Sequence, residues 1–342
     1  MNILVTGGAG FIGSNFIRFM LKKYPGYKIV NFDKLTYAGN LENLKDVESI
    51  LNYQFVKGDI IDVQLVESTV KQHKINCIIN FAAESHVDRS INDPAIFVKT
   101  NVLGTQTLLD VGYRNNIQKY LQISTDEVYG SLGEKGYFTE ETPLSPNSPY
   151  SASKAGADLI VKSYYETYKM NVNITRCSNN YGPYHFPEKL IPLIITNAIE
   201  NKELPVYGDG LHVRDWLHVK DHCSAIDLVL HEGTPGEVYN VGGHNEKRNI
   251  DIVKGILKYL GKSDELIKYV EDRKGHDRRY AIDPNKLIKE LGWEHTYTLN
   301  EGLKETVKWY SDNQQWWKNI KSGEYVAFNQ VKCNDKSLIA RN

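Results

Sequence analysis

The chain has 342 residues, of which 41% are hydrophobic and 24% charged, a composition that supports a full core and excludes a disordered or fibrous protein. Its 41 Lys and Arg nearly cancel 42 Asp and Glu, so no overall positive field draws it to nucleic acid, and an anionic ligand must be held locally. No apolar run approaches the roughly 20 residues of a membrane helix.

The chain opens directly on a strand-like run, residues 3–6, which leaves no room for a secretory leader ahead of it. Further β-rich runs at 28–32, 54–57, 77–81, 120–124 and 172–176 are separated by helix-length segments. That alternation predicts an α/β fold with a Rossmann-like, doubly wound parallel sheet, its strands apolar throughout because helices cover both faces. From Cys177 the texture changes: Pro183, Pro187, Pro192 and Pro205 interrupt the chain, and Gly208 to Gly210 reads as a turn. The expected division is a Rossmann domain over 1–176 and a smaller, mixed α/β lobe over most of 177–330. The run 238–241 is expected to return to the main sheet, and 331–342, without periodicity, to form a flexible tail. Cys77, Cys177, Cys223 and Cys333 form no Cys-x-x-Cys pair, so neither a metal cluster nor a disulfide framework is expected; they fit thiols of a reducing compartment, the cytoplasm.

Gly7, Gly10 and Gly13 follow the first strand and open a helix, with Phe11 and Ile12 between the last two. Such glycines permit a tight turn, backbone approach to a pyrophosphate and close helix packing, and the helix N-terminus favours phosphate. Asp33 ends the second strand, 20 residues beyond Gly13, where a carboxylate accepts hydrogen bonds from an adenosine ribose and repels a 2′-phosphate. NAD is therefore the expected cofactor. Lys34 and Thr36 continue into the same site. Asp59 and Ile60 after the third strand bracket the adenine or serve only as turn residues. Ala82 and Ala83 after the fourth are small where a cofactor passes close to the backbone, and Ser85 and Thr100 are further candidates beside sugar and cofactor. His86 reads as structural or peripheral.

Tyr150 and Lys154 are four residues apart and share a face if helical. A neighbouring ammonium lowers a phenol's pKa and makes it a base for an alcohol losing hydride. Alone, the spacing fits a surface pair equally well. Together with the glycine fingerprint and the Ser124-Thr125 strand end, it resembles the extended short-chain dehydrogenase/reductases over roughly residues 1–325. Ser124-Thr-Asp-Glu-Val-Tyr-Gly130 is more specific and resembles the dTDP-glucose 4,6-dehydratases, where sugar epimerases of the superfamily usually carry small or hydroxyl residues in place of Asp126 and Glu127.

The resemblance implies a reaction in which C4 of a hexose is oxidised, water is eliminated across C5–C6, and hydride returns to C6, giving a 4-keto-6-deoxy sugar for deoxysugar biosynthesis. It assigns Thr125 to the C4 oxygen, Glu127 as C5 base and Asp126 as acid for the C6 hydroxyl. An acid working near neutrality needs a raised pKa, obtainable from burial and a carboxylate neighbour. The resemblance also places Asn179 at substrate and Asn180 on the cofactor side. It assigns Lys189, Leu190, Pro205, Tyr207, Arg214, Asn249, Asp272 and His276 to the nucleoside diphosphate, dTDP-glucose being the implied substrate. Arg214 suits a diphosphate because its fork offers paired, charge-assisted bonds. A homodimer through a four-helix bundle is implied as well, although Ala152, Ala155, Gly156 and Ala157 could equally mark packing of their helix on its own sheet, and residues 101–113 are expected to form its neighbour. A UDP-glucose 4,6-dehydratase or another nucleotide-sugar enzyme is the alternative; a non-catalytic NAD-binding regulator conflicts with the retained Thr125, Asp126, Glu127, Tyr150 and Lys154.

Overall fold

Strand β1 (Asn2–Thr6) is apolar on both faces because both are covered: Ile3 and Val5 point into one core, Leu4 into another. This is a computed structural model, and it describes residues 1–272 and 275–334. The chain continues through β2 (Lys28–Asp33), β3 (Tyr53–Lys57), β4 (Cys77–Asn80), β5 (Lys119–Thr125) and β6 (Val172–Cys177). A second group follows: β7 (Asn179–Tyr181), β8 (Leu204–Tyr207), β9 (Val213–His218), β10 (Val238–Val241), β11 (Glu246–Arg248) and β12 (Ile267–Val270).

Seven strands form one parallel sheet in the order β3-β2-β1-β4-β5-β6-β10. The helices Phe11–Lys23 and Val219–Glu232 cover one face, packing Phe16, Met20, Ile226 and Val229 on Ile3, Val5 and Ile79. The helices Val63–Gln72, Gly104–Arg114 and Pro149–Tyr168 cover the other with Val66, Leu108 and Val161 against Leu4, Val30 and Ile78. In a sheet of this kind ligands bind beyond the C-terminal strand ends, where β1 and β4 run to opposite sides.

The second lobe has its own core, with Ile191, Leu204, Trp216, Ile256, Tyr310 and Trp317 buried together. It carries a three-stranded sheet, β11-β9-β7, and the pair β12-β8. The change of texture at Cys177 marks a change of connectivity, not a clean cut in space. The helix Val219–Glu232 and Leu287 of the helix Asn285–Leu291 pack on the main sheet, because a strand returning parallel to an edge brings its crossover helix onto a sheet face.

Two local expectations change. Residues 331–334 form the end of the helix Glu324–Asn334, fastened by Lys332 to Glu48 at 2.8 Å, a tertiary contact that local periodicity does not reveal; residues 335–342 lie outside the described residues. The helix expected over 101–113 starts earlier, at Pro94, and runs through π-helical turns at Val98–Leu103 into Gly104–Arg114. Pro94 suits a first helical position, where no N–H is needed. Cys77, Cys177 and Cys223 are buried free thiols and Cys333 a half-buried one, and no described helix is long and apolar enough to cross a membrane.

Candidate active site

β5 runs straight into a single 3₁₀ turn, Asp126–Tyr129, so the two carboxyl residues sit at the C-terminal edge of the sheet. Thr125 caps that turn, its Oγ1 accepting from the Glu127 N–H at 3.3 Å. The helix Pro149–Tyr168 starts on a reciprocal Ser148/Ser151 capping box with Pro149 in its first turn. This fixes Tyr150 and Lys154 on the face turned towards β5, where Lys154 Nζ donates to the Ile123 carbonyl at 2.7 Å. Every residue assigned above to cofactor, catalysis or substrate lines one cleft at this edge, with the single exception of Asp272.

At the cofactor end, Gly7 has φ +67°, and a Cβ there would lie 2.6 Å from the Ala82 nitrogen; a Cβ on Gly13 would lie 2.5 Å from the Gly7 carbonyl oxygen. The cradle is thus shaped by missing side chains, as a pyrophosphate requires. Asp33 is held by the Ala9 N–H at 2.9 Å and the Leu35 N–H at 2.8 Å, one on each oxygen, which leaves lone pairs for ribose hydroxyls. Lys34 pairs with Asp59 at 2.7 Å, which commits its ammonium to a carboxylate. These features fit NAD. His86 lines the cleft and caps the short helix Val87–Asn92 through its side chain.

The catalytic group is buried. Burial, then the charges of Glu127 and Asp215, push the Asp126 carboxyl well above its ordinary range, and its Oδ2 has no hydrogen-bond partner among the described residues. Burial and then the Glu127 carboxylate push the Tyr150 phenol well above its ordinary value, opposed by a hydrogen bond with Thr125. Lys154 donates to the Ile123 carbonyl and is itself lowered by burial, with Asp158 opposing. Raising Asp126 means that the folded protein binds a proton that the unfolded chain releases, so this group's stabilisation is lost as pH rises past the ordinary carboxylate range. Asp126→Asn should therefore raise the melting temperature more at about pH 8 than at about pH 4. A shift independent of pH in thermal melts would show that Asp126 is not protonated by burial.

On the substrate side, Arg214 of β9 is buried, donates only to the Val213 and Asp277 carbonyls, and lies over the Tyr280 ring at 4.5 Å. It has no ion-pair partner among the described residues, and a buried cation of this kind calls for an anion. Asn179 and Asn249 each present a buried Oδ1 without a hydrogen-bond partner among the described residues, and Asn180 is oriented by His222 at 2.9 Å and the Ser178 carbonyl at 2.9 Å. Lys189 donates to the Ser85 carbonyl at 3.1 Å, and Leu190 opens the helix Leu190–Ile199 beside it. Pro205 and Tyr207 line the cleft from β8.

Asp272, expected at the substrate, stands behind His276 instead, bonding its Nδ1 at 2.6 Å and lying 3.3 Å from His212 Nε2. A carboxylate there orients the histidine that does face the cleft. Arg273 and Lys274, in the same segment, lie outside the described residues. No metal is expected from the sequence, yet ligand atoms of His212, Asp272 and His276 come within 4.8 Å of one another, a spacing that could hold an ion. The two rings stack at 3.7 Å and 17°, so their in-plane lone pairs do not converge as ligation needs. Arg279 is paired with Glu246 at 2.7 Å and lies outside the cleft. Sequence reasoning missed Tyr280 beneath Arg214, and Asp215, which acts on Asp126; neither belongs to a local motif, and only folding brings them to the site.

Residues 4–306 match the family model described as GDP-mannose 4,6 dehydratase. The dTDP-glucose 4,6-dehydratase of Xanthomonas campestris pv. campestris (strain B100) is 53% identical over 340 residues, covering 94% of this chain and 96% of that protein. The crystal structure of dTDP-glucose 4,6-dehydratase from Bacillus anthracis in complex with NAD is 59% identical with a TM-score of 0.89, covering 94% of this chain and 99% of that one. The enzyme of the same name from Streptomyces venezuelae, also with NAD bound, is 48% identical with a TM-score of 0.91, covering 94% and 100%. With fold, glycine cradle, carboxyl pair and Tyr-Lys helix all in one cleft, the chain belongs to the dTDP-glucose 4,6-dehydratase family of the extended short-chain dehydrogenases/reductases.

Proposed function

We propose that this chain is a hydro-lyase that converts dTDP-α-D-glucose to dTDP-4-keto-6-deoxy-D-glucose with NAD, in deoxysugar biosynthesis. One observation carries the reading: a buried Asp126, its carboxyl pushed well above the ordinary range by burial and Glu127, stands beside Glu127 at the strand end of Thr125, in one cleft with Tyr150. The glycine cradle and Asp33 would hold NAD, which when bound would supply a hydride acceptor for C4 and a hydride donor for C6. Tyr150, once deprotonated against the upward push of burial and Glu127, takes the C4 hydroxyl proton while Thr125 hydrogen-bonds that oxygen. Once C4 is a ketone the C5 proton is acidic; Glu127 removes it, and Asp126 delivers its proton to the departing C6 hydroxyl. Arg214 binds the diphosphate, with Asn179, Asn249 and His276 around it.

Because the hydride is returned within each turnover, no stoichiometric NADH should appear. Purified protein is assayed with dTDP-glucose and UDP-glucose in parallel, with detection of the 4-keto-6-deoxy product. The two bases differ by one methyl, which a pocket discriminates by only ~1 to 3 kcal/mol, so some UDP-glucose turnover is compatible. Sustained NADH release matching product formation, or a kcat/KM favouring UDP-glucose, would sink the assignment.

The helices Val98–Leu103 and Pro149–Tyr168 pack side by side, with Asn101 Nδ2 donating to Ser153 Oγ at 2.8 Å, and leave Val98, Leu103 and Leu159 exposed. Ala155 and Ala157 are buried within the chain, so the small residues serve its own packing in part. The exposed apolar residues support a homodimer through a four-helix bundle, and the free thiols support the cytoplasm. Leu159→Glu combined with Leu103→Glu should yield monomers by analytical ultracentrifugation; an unchanged sedimentation coefficient would place any dimer contact elsewhere.

A further inference from the structure

The C-terminal helix Glu324–Asn334 packs on the segment that follows β2, and residues 36–39 of that segment line the cofactor end of the cleft. Residues 34–40 have no helix or strand of their own, so other elements must satisfy their backbone groups. Asn329, 6% exposed, does so with both halves of its amide: Oδ1 accepts from the Leu41 N–H at 3.0 Å and Nδ2 donates to the Gly39 carbonyl at 2.9 Å. One turn earlier, the Tyr325 hydroxyl donates to the Tyr37 carbonyl at 2.7 Å. From the opposite side, the Asn40 N–H and Asn43 Nδ2 both donate to the Ala9 carbonyl, and the Ala9 N–H donates to Asp33. A continuous set of bonds thus runs from the last helix to the carboxylate assigned to the ribose. The Tyr37 ring is enclosed too, with the Arg89 guanidinium 4.0 Å above it and Phe186 edge-on at 5.7 Å, Phe186 in turn meeting Tyr325 at 6.2 Å.

We infer that Asn329 and Tyr325 are positioning residues for the cofactor: they fasten residues 37–41 beside the adenosine end of the cleft and keep NAD bound through successive turnovers. This rests on the NAD reading above. A recycled cofactor gains nothing from leaving, and an irregular segment held only by its own turns would open readily. Neither residue reaches the reacting atoms; both act through the backbone of the segment they hold.

The test loads full-length protein with radiolabelled NAD and follows its release into excess unlabelled NAD. Asn329→Ala should release the label at least roughly tenfold faster, since two bonds to buried backbone groups are lost. Activity lost on gel filtration should return when NAD is added. Tyr325→Phe removes a single hydroxyl, should accelerate release by a smaller factor, and decides the matter if Asn329→Ala does not fold. Val331→Ala, at a position 68% exposed on the same helix, should release at the wild-type rate. If both substitutions release NAD at the wild-type rate, or Val331→Ala accelerates release as much as they do, the inference is wrong while the NAD reading stands. Wild-type protein that takes up no label and releases no NAD on denaturation would overturn the cofactor reading itself.

Discussion

Tyr150→Phe is expected to stop the reaction before any cofactor is reduced, lowering turnover by ~10² to 10⁴-fold. The substitution removes one oxygen from a fully buried ring whose position is fixed by the capping box and by Phe97, edge-on at 6.3 Å. Geometry should therefore survive. What is lost is the group proposed to take the C4 hydroxyl proton, and without that transfer hydride cannot leave C4. Mixing the variant with dTDP-glucose should give neither product nor the absorbance of bound reduced cofactor. Reduced cofactor appearing at the wild-type rate would mean that another base serves the first step.

Glu127→Gln should do the opposite, allowing oxidation and blocking elimination. The Glu127 charge is the largest electrostatic influence on the Tyr150 phenol after burial, and it pushes that phenol up. Removing the charge eases loss of the phenolic proton, so the first step is not weakened. The C5 proton, however, loses its base. Bound reduced cofactor and a 4-ketoglucose intermediate should accumulate while dehydration slows by ~10²-fold or more. In D₂O the wild type should place solvent deuterium at C5 of the product and none in the hydride returned to C6. Dehydration by Glu127→Gln at the wild-type rate, or a C5 free of deuterium, would remove this carboxylate from the proposed role.

The second of these expectations depends on one short stretch of chain, and that stretch was legible in the sequence. Ser124 to Gly130 follows an apolar strand, and strand ends in a parallel sheet are where ligands bind, so Thr125, Asp126 and Glu127 had to face the cleft. The same holds for Gly7, Gly10, Gly13 and Asp33, whose roles follow from backbone constraints local to one strand–turn–helix unit, and for the spacing of Tyr150 and Lys154. Asp272 does not line the cleft with His276, because neighbours in sequence share a segment without sharing a direction: His276 faces the cleft and Asp272 bonds its Nδ1.

The sequence by itself determined the sheet and the cofactor cradle, since each depends on periodicity or on spacing within about one turn of helix or one strand, and the family resemblance singled out the reacting groups. Only the tertiary structure decided how the reacting groups are tuned and how the cofactor segment is held. The upward shift of Asp126 depends on burial, on Glu127 and on Asp215, 89 residues away in sequence, and the phenol of Tyr150 is pushed up by burial and then by Glu127. Residues 37–41 are closed by Asn329 and Tyr325, which local pattern gave no reason to bring there. Desolvation and long-range hydrogen bonds are sums over neighbours in space, and a linear pattern does not contain those neighbours.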